Sequence, residues 1–332
     1  MKHSRVAQND ANPNGLEGHA ALTQGAAIVD LSDRRLLRLT GKDPAGMLNA
    51  VLTNDVPAGE HRGAYALLLD PKGRVQTDLR ALKTEGGILL DTEPEGAEAA
   101  AEILGRYAPF SRVKMEKLPD WGVLGLYGPH ANALLEVFDL AEHEAKQVEI
   151  DGIPVLVAGI AVPVAGYDLI APSDALDEIR GYLIGRGATN ADPAAHDAAR
   201  IEAGIPRFGA DVTPDNFPGE STNVLERAVS FGKGCYPGQE TVARMHYRGS
   251  PNKRLYRFEL EPDHEEAPDA GAEILQHDDA PASSAGVVGR LTSVAPFPVD
   301  GKVYALGYLA RKADPSSLLR AKDARVLTVT QA

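Results

Sequence analysis

Short apolar runs alternate with longer amphipathic segments along the first two thirds of the chain. The apolar runs have the length and polar flanks of β-strands, and the amphipathic segments start at residues that favour helix N-termini. Asp70-Pro71-Lys72-Gly73 and Asp151-Gly152 are turn sequences that predict two hairpins. The predicted strands are 36–40, 65–69, 74–82, 88–91, 123–127, 148–150, 153–158 and 167–171. The predicted helices begin at or beside Pro44, Pro94, Pro129, Ser173 and Pro193.

The order of these elements repeats. Strand–helix–strand–strand–strand–helix occurs over about residues 36–107 and again over 121–186. The repeat predicts two similar α+β halves, about 25–115 and 120–250, within one region spanning 21–250. A cleft between two packed halves is a natural ligand site, so we expect a channel at the centre of this region.

The two ends of the chain have a different texture. Residues 1–20 begin with polar and charged residues and have no apolar core, so we predict a disordered tail there. Residues 261–280 contain eight acidic residues and no Lys or Arg, which is typical of a solvated loop. Short strands over 287–292, 303–309 and 326–330 predict a small all-β module, a β-barrel, over 251–332.

Composition restricts the classes of function. The 332 residues are 43% hydrophobic and 24% charged, which is usual for a globular protein. The net charge of −13 disfavours non-specific binding of nucleic acid or anionic lipid. The longest apolar stretch, Ile153–Tyr167, is short and broken by prolines and glycines, so no membrane span is expected and we predict a cytoplasmic protein. No metal site is predicted, and a single cysteine can neither form an internal disulfide nor hold an iron–sulfur cluster alone.

One segment is strongly basic within this acidic chain. Residues 227–257 carry seven Lys or Arg residues against one acid, Glu240. The cations are Arg227, Lys233, Arg244, Arg248, Lys253, Arg254 and Arg257. Two interpretations stay open: a surface that pairs with the acidic loop after it, or a site for a small polyanion.

A compact loop within this segment surrounds the cysteine. Lys233-Gly234-Cys235-Tyr236-Pro237-Gly238 places two glycines and a proline around Cys235, which predicts a tight, pre-set turn. Lys233, with Arg244 and Arg248 nearby in sequence, would favour a reactive thiolate. The alternative is a buried, inert cysteine. The preceding Ala228–Gly232 loosely resembles the nucleophile elbow of hydrolases, but no helix is expected directly after its serine, so a hydrolase is disfavoured.

The same residues carry a family resemblance. Lys233–Glu240 reads K-G-C-Y-P-G-Q-E, which resembles the signature of YgfZ-like proteins, folate-binding factors implicated in iron–sulfur protein maintenance. These belong to the superfamily of the glycine-cleavage T-protein, an aminomethyltransferase. Further segments resemble the superfamily at large, so the resemblance runs from about residue 25 to the C-terminus. They are 39–43, 53–56, 126–131 and 200–211.

The resemblance implies a three-part fold around a central funnel that binds tetrahydrofolate or a one-carbon derivative. Arg74–Leu79 is similar to a G-x-x-x-D-D-L strand with Thr77 in place of the first aspartate, which implies that Asp78 lies near the reactive folate nitrogens. Gly166-Tyr167-Asp168-Leu169 is similar to G-x-E-L, and Asp168 would accept hydrogen bonds from the pterin amino group and ring N–H. Without the resemblance, either aspartate is equally well explained as a solvated acid at a strand end.

The expected site therefore has two parts. The expected catalytic residues are Cys235 and Asp78. The expected folate-binding residues are Tyr167, Asp168, Lys233, Glu240, Arg244 and Arg248, with the basic side chains facing the glutamate tail.

Two functions follow from the resemblance. The favoured one is a tetrahydrofolate-binding accessory protein that supports iron–sulfur cluster assembly or repair in client enzymes, without nucleic-acid or membrane binding of its own. The alternative is a folate-dependent aminomethyltransferase. Cys235 in its loop, and the loss of the paired aspartates at Thr77-Asp78, favour the first. A folate-binding domain of an amine-demethylating oxidase is disfavoured, since no flavin-binding fingerprint is present.

Overall fold

The computed structural model describes residues 13–57, 62–135, 140–249, 251–262, 267–277, 286–322 and 324–332. The helices are α1 Pro13–Gln24, α2 Pro44–Val51, α3 Ala97–Tyr107, α4 Ala131–Leu135, α5 Leu176–Gly185, α6 Pro193–Glu202, α7 Thr222–Ala228 and α8 Gln239–Arg248. Strands β1–β9 are Ala27–Asp30, Arg35–Gly41, Ala64–Leu69, Val75–Thr84, Gly87–Thr92, Val113–Lys117, Trp121–Tyr127, Ala145–Ile150 and Ile153–Ile160. Strands β10–β17 are Gly166–Pro172, Thr189–Ala191, Lys253–Pro262, Glu273–His277, Gly286–Val294, Val303–Ala310, Leu318–Ala321 and Ala324–Gln331.

The first half of the α+β region is a five-stranded antiparallel sheet in the order β3-β4-β5-β2-β6. Helices α2 and α3 cover one face, and Leu48, Leu90 and Leu104 belong to the apolar core beneath them. Helix α2 begins as predicted: Pro44 occupies the first turn, and the Asp43 side chain accepts a 2.8 Å hydrogen bond from the Gly46 N–H.

The second half is a six-stranded sheet in the order β11-β1-β7-β10-β9-β8. Strand β1 pairs antiparallel with β7 and parallel with β11. The predicted boundary of the first half at residue 25 is therefore wrong, because 27–30 belongs to the second sheet. Ile28 and Val29 are fully buried there, one on each face of the strand. An apolar strand this short has no polar alternation that would reveal it from the sequence.

The two sheets pack against each other through apolar side chains. Leu36, Leu82 and Leu89 of the first sheet share a core with Leu156 and Ile170 of the second. Polar side chains of both sheets also line a common cavity. The predicted pair of similar α+β halves is confirmed, and this cavity lies between them.

The C-terminal residues form a closed barrel in the order β12-β15-β14-β13-β16-β17, as predicted. Phe258, Leu260 and Leu319 are fully buried inside it. One outer side of the barrel packs on α1 and α6, where Leu22, Ile201 and Leu306 share a core. The barrel is thus a third layer that supports the α+β region.

The tail predicted over 1–20 is wrong from Pro13 onward, where α1 begins; residues 1–12 lie outside the described chain. Helix α1 packs closely on α6 because Gly18 has no side chain: a Cβ there would lie 3.0 Å from those of Ala191 and Ala195. The helix predicted from Pro129 is observed only as α4, and residues 136–139 lie outside the described chain. Among the described helices, none is long and apolar enough to cross a membrane.

A candidate ligand site between the two sheets

A cavity of about 390 Å³ is lined by residues of both sheets. The first sheet and the loop that follows it provide Tyr65, Asp78, Arg80 and Glu93, and the second sheet provides Tyr127 and Asp168. Helix α6 and its flanking loops close one side. The other polar residues of its wall are Asp30, Ser32, Asp33, Arg34, Glu142, His143, His196, Asp197, Arg200, Arg207 and Arg227. The volume is in the range of cavities that hold drug-sized ligands.

Asp78 faces this cavity because of the alternation of strand β4. Thr77, one position earlier, is fully buried on the other face, where its hydroxyl lies 3.1 Å from that of Thr92. The Tyr65 hydroxyl donates a 2.8 Å hydrogen bond to Asp78 Oδ2. Burial, followed by the nearby charge of Glu93, raises the pKa of Asp78 to about 6. Asp78 can therefore gain or lose a proton near neutral pH.

Asp168 faces the same cavity from β10 and is only 2% exposed. Its two oxygens have different partners: Arg80 Nη2 donates to Oδ2, and the Tyr127 hydroxyl donates to Oδ1. Tyr167, the neighbour of Asp168, points to the opposite face of the strand, into the core that contains Leu126 and Leu169. The structure thus places Asp168 in the site and does not bring Tyr167 to it.

A buried ionic network fixes these groups. Asp91 is fully buried and accepts a 2.6 Å hydrogen bond from Arg34 Nε at one oxygen and hydrogen bonds from Arg80 at the other. Arg34 Nη1 also donates to Glu93 Oε1 at 2.5 Å. Burial acts to raise the pKa of Asp91, but the charges of Arg34 and Arg80 outweigh it and hold that pKa below its usual value. The wall of the cavity therefore has fixed charges of both signs.

Two histidines complete the wall, and sequence analysis did not find either. His143 stacks on Tyr65 with ring centroids 6.4 Å apart, and His196 stacks on Tyr127 at 5.2 Å. Burial lowers the pKa of each histidine to about 4, so both rings are neutral at physiological pH. Isolated histidines in a sequence carry no signal of a shared position in space.

Of the seven cations in the basic segment, only Arg227 lines the cavity. It donates a 2.7 Å hydrogen bond to Glu142 Oε1, and its guanidinium lies 5.2 Å from the centre of the Tyr65 ring. Lys233 instead donates to two backbone carbonyls, Leu52 O at 2.6 Å and Asn54 O at 3.1 Å. Burial lowers the pKa of Lys233, and its ammonium group ties the loop to the first half.

Arg244, Arg248 and Glu240 lie on α8, are exposed, and do not line the cavity. The structure therefore does not bring these three side chains together with Asp168, as the expected folate site required. Most of the acidic residues of 261–280 lie outside the described residues, so the pairing of the basic segment with that loop stays a prediction. Among the described residues, the ion-pair partners of the segment's cations are Glu142, Glu220 and Glu259.

Cys235 is exposed and outside the cavity, so the alternative of a buried cysteine is wrong. Its loop is held firmly on both sides. Tyr236 is buried, and Gly238 adopts a φ of +81° against the hairpin turn. A Cβ on Gly238 would lie 2.6 Å from Asp70 O and 2.7 Å from the Gly73 Cα. The predicted tight loop is present, and it displays the thiol at the surface.

Comparisons with known proteins identify the family of the chain. The family described as GCVT N-terminal domain matches residues 7–233. The tRNA-modifying protein YgfZ of Yersinia pestis (strain Pestoides F) is 31% identical over 235 residues, which is 69% of each chain. The protein of the same name from Yersinia enterocolitica serotype O:8 / biotype 1B is 30% identical over 234 residues, again 69% of each chain.

A solved structure shares the fold across almost the whole chain. The glycine cleavage system aminomethyltransferase T from Bartonella henselae superposes with a TM-score of 0.76 over 96% of this chain and 88% of its own, at 21% identity. At that identity the likeness concerns the fold alone. The family match and the identity to the Yersinia proteins show that this chain belongs to the GCVT-domain family, as a YgfZ-like member.

Proposed function

We propose that the cavity between the two sheets binds tetrahydrofolate or a one-carbon derivative of it. The observation that carries the proposal is the convergence of Asp78 and Asp168 on one cavity from two different sheets. A pterin presents an amino group and a ring N–H side by side, and a carboxylate can accept both. Asp168 is the residue proposed for that contact, and Asp78 is proposed to lie near the reactive nitrogens.

The lining fits such a ligand in three respects. The volume of about 390 Å³ is large enough for a heterocycle with part of its tail. The rings of Tyr65 and Tyr127 provide apolar, polarisable surface on the two sides. Arg80 and His143 line the cavity, and Arg80 Nη1 and His143 Nδ1 are buried without a hydrogen-bond partner among the described residues, so a ligand could supply those partners.

The glutamate tail requires cations, and the structure offers different ones from those the sequence suggested. Arg207 and Arg227 both line the cavity, with side chains 45% and 25% exposed. Arg207 is only loosely paired, since its distance to Asp197 is 3.6 Å, whereas Arg227 pairs with Glu142 at 2.7 Å through Nη2. We propose that these two guanidinium groups hold the tail carboxylates in place of Arg244 and Arg248.

The proposed biological role is that of an accessory protein that supports iron–sulfur cluster assembly or repair in client enzymes. Support comes from Cys235, an exposed thiol in a rigid loop outside the folate cavity. A thiolate can form a mixed disulfide with a partner or contact a cluster that the partner holds. Folate binding and partner contact would therefore occur at separate places on the molecule. We further propose that the protein acts in the cytoplasm.

The names of the Yersinia relatives refer to tRNA modification. For this chain we propose an indirect connection, through client enzymes, without binding of nucleic acid by the chain itself. The net charge of −13 supports this choice, because a phosphate backbone would be repelled by most of the surface. The same charge opposes attachment to an anionic membrane.

One observation favours the alternative, a folate-dependent aminomethyltransferase. Asp78 has a pKa of about 6 and faces the cavity, which suits a group that moves a proton during one-carbon transfer. Against it, Thr77 stands in place of a second carboxylate and points away from the cavity. A folate-dependent transfer assay with a lipoylated carrier protein distinguishes the two: turnover would favour the transferase.

Calorimetric titration of the full chain with tetrahydrofolate tests the proposal directly. We expect binding at micromolar concentration that becomes weaker as salt is added, because Arg side chains would hold the tail. Asp174→Asn, a substitution of an exposed acid just after β10, is the matched control and should leave the affinity unchanged. No binding of any reduced folate at high micromolar concentration would remove the proposal.

A further inference from the structure

We propose that Arg80 recognises the 4-oxo group of the ligand. Together with Asp168, it makes the cavity specific for 4-oxopteridines and excludes 4-aminopteridines. This inference rests on the proposed binding of folate and assigns a specificity-determining residue to that site. Neither the resemblance nor the comparisons assign a role to Arg80. It follows from the hydrogen bonds that Arg80 makes and from the one arm of its guanidinium that makes none.

Arg80 is 7% exposed, and two of its three nitrogens are engaged. Nε donates to Asp91 Oδ2 at 2.9 Å, and Nη2 donates to Asp91 and to Asp168. Nη1 is buried and has no partner in the described part of the chain. A buried N–H of a charged group without an acceptor is costly, and Arg80 lines the cavity. Because Arg80 is one of the residues that line the cavity, a ligand there could supply the acceptor that Nη1 lacks.

The guanidinium cannot easily turn away from this position. Its carboxylate partner Asp91 is itself held by Arg34 through a 2.6 Å hydrogen bond. Asp168, its other partner, is held on the far side by the Tyr127 hydroxyl. Arg80, Asp91 and Asp168 all have side chains less than 10% exposed. A planar donor group that is fixed by two buried carboxylates is pre-organised for recognition.

Asp168 presents the complementary element. Each of its oxygens accepts one hydrogen bond, from Arg80 or from Tyr127, and a carboxylate oxygen can accept a second. The ion pair thus presents an acceptor directly beside a donor. Along one edge, a pterin carries its 2-amino group, its N3–H and its 4-oxo group in that order, which is donor, donor, acceptor. Asp168 matches the two donors, and Arg80 matches the oxygen.

This arrangement predicts that the 4-oxo ligand binds more tightly than the 4-amino ligand. A 4-amino group puts a donor where the 4-oxo acceptor was, so it would face the Arg80 donor without a hydrogen bond. The 4-amino ring also lacks N3–H, although it protonates readily at N1 and can pair with a carboxylate through N1–H and the 2-amino group. Comparison of the wild type with Arg80→Met therefore separates the contribution of the Arg80 donor from that of Asp168.

The test is calorimetric titration of the full chain with tetrahydrofolate and with tetrahydroaminopterin, in which a 4-amino group replaces the 4-oxo group and N3 carries no hydrogen. We expect the 4-oxo ligand to bind at least about tenfold more tightly, the equivalent of one lost hydrogen bond to a charged donor. Equal or tighter binding of tetrahydroaminopterin, with tetrahydrofolate still bound, would overturn the role of Arg80 and leave folate binding standing. Failure of both ligands to bind would overturn both proposals.

Arg80→Met provides the second arm. It removes the guanidinium but keeps a long apolar side chain, and the ratio of the two affinities should fall to about one or invert. An unchanged ratio in a folded Arg80→Met protein would overturn the proposal. Should the variant fail to fold, because Asp168 loses its counter-charge, equal or tighter binding of tetrahydroaminopterin by the wild type would still overturn the proposal.

Discussion

Arg80 and Asp168 belong to different sheets, β4 and β10, and form a buried ion pair across the base of the cavity. The pair joins the two α+β halves at the point where the ligand would lie. Each partner is also oriented by a further group, Arg80 by Asp91 and Asp168 by Tyr127. A ligand that reaches Asp168 therefore meets a surface whose geometry is already fixed.

The first prediction concerns Asp168→Asn. An amide replaces a charged acceptor with a mixed donor and acceptor, so we expect tetrahydrofolate binding to weaken by roughly 1–3 kcal/mol. Arg80 keeps Asp91 as a counter-charge, so the fold should survive with reduced stability. Calorimetry measures the affinity and urea unfolding the stability, with Asp174→Asn as the control. An unchanged affinity would move the pterin contact elsewhere, with Asp78 the next residue to test.

A second prediction separates the cations of the cavity from those of helix α8. The double variant Arg207→Gln/Arg227→Gln should lower the affinity for a glutamate-tailed folate by roughly tenfold or more and reduce its dependence on salt. The double variant Arg244→Gln/Arg248→Gln removes the same charge from α8, outside the cavity, and should leave affinity nearly unchanged. Titration of the two proteins across a range of salt concentrations makes the comparison. A loss confined to the α8 variant would restore the placement suggested by the sequence.

The cations of the cavity and those of α8 show what could be predicted from the sequence and what could not. Helix starts were found because Asp43-Pro44 and Asp192-Pro193 encode a cap and a fixed φ locally. Arg227 and Arg244 are close in sequence, but they lie on different helices, and only the first faces the cavity. Arg80 gave no signal either, because its importance depends on Asp91 and Asp168, which pair with it only in three dimensions.

A third prediction concerns pH. The pKa of Asp78 is about 6 in the folded chain, above its value when unfolded, so the folded state binds the extra proton between those two values. The contribution of Asp78 to stability is therefore favourable below the unfolded pKa and is lost as the pH rises through about 6. At pH 7.5, Asp78→Asn should stabilise the fold by on the order of 1 kcal/mol, and at pH 4 the gain should vanish.

Urea unfolding of both proteins at several pH values measures this difference. His143 and His196 have pKa values of about 4 and act in the opposite direction, since their contribution is lost as the pH falls from near 6.5 to 4. They are present in both proteins, so they cancel in the comparison of wild type with Asp78→Asn. A difference that does not change with pH would mean that Asp78 ionises normally in the folded chain.

The last prediction concerns Cys235, because it separates the accessory role from the transferase. The thiol is exposed, lies outside the cavity and is held by a loop that the backbone of Gly238 fixes against the Asp70–Gly73 turn. Cys235→Ser should therefore fold normally and bind tetrahydrofolate like the wild type. Serine stays protonated at neutral pH and is a poor soft-metal ligand, so it can form neither a mixed disulfide nor a thiolate contact with a cluster.

In cells that lack their own copy of the protein, we expect Cys235→Ser to fail to restore the activity of iron–sulfur enzymes. Asp168→Asn is the matched comparison in the same cells, because it should fail through weakened folate binding while Cys235 remains in place. Full restoration by Cys235→Ser would contradict the accessory role of the thiol, and preserved one-carbon transfer by the same variant would favour the aminomethyltransferase.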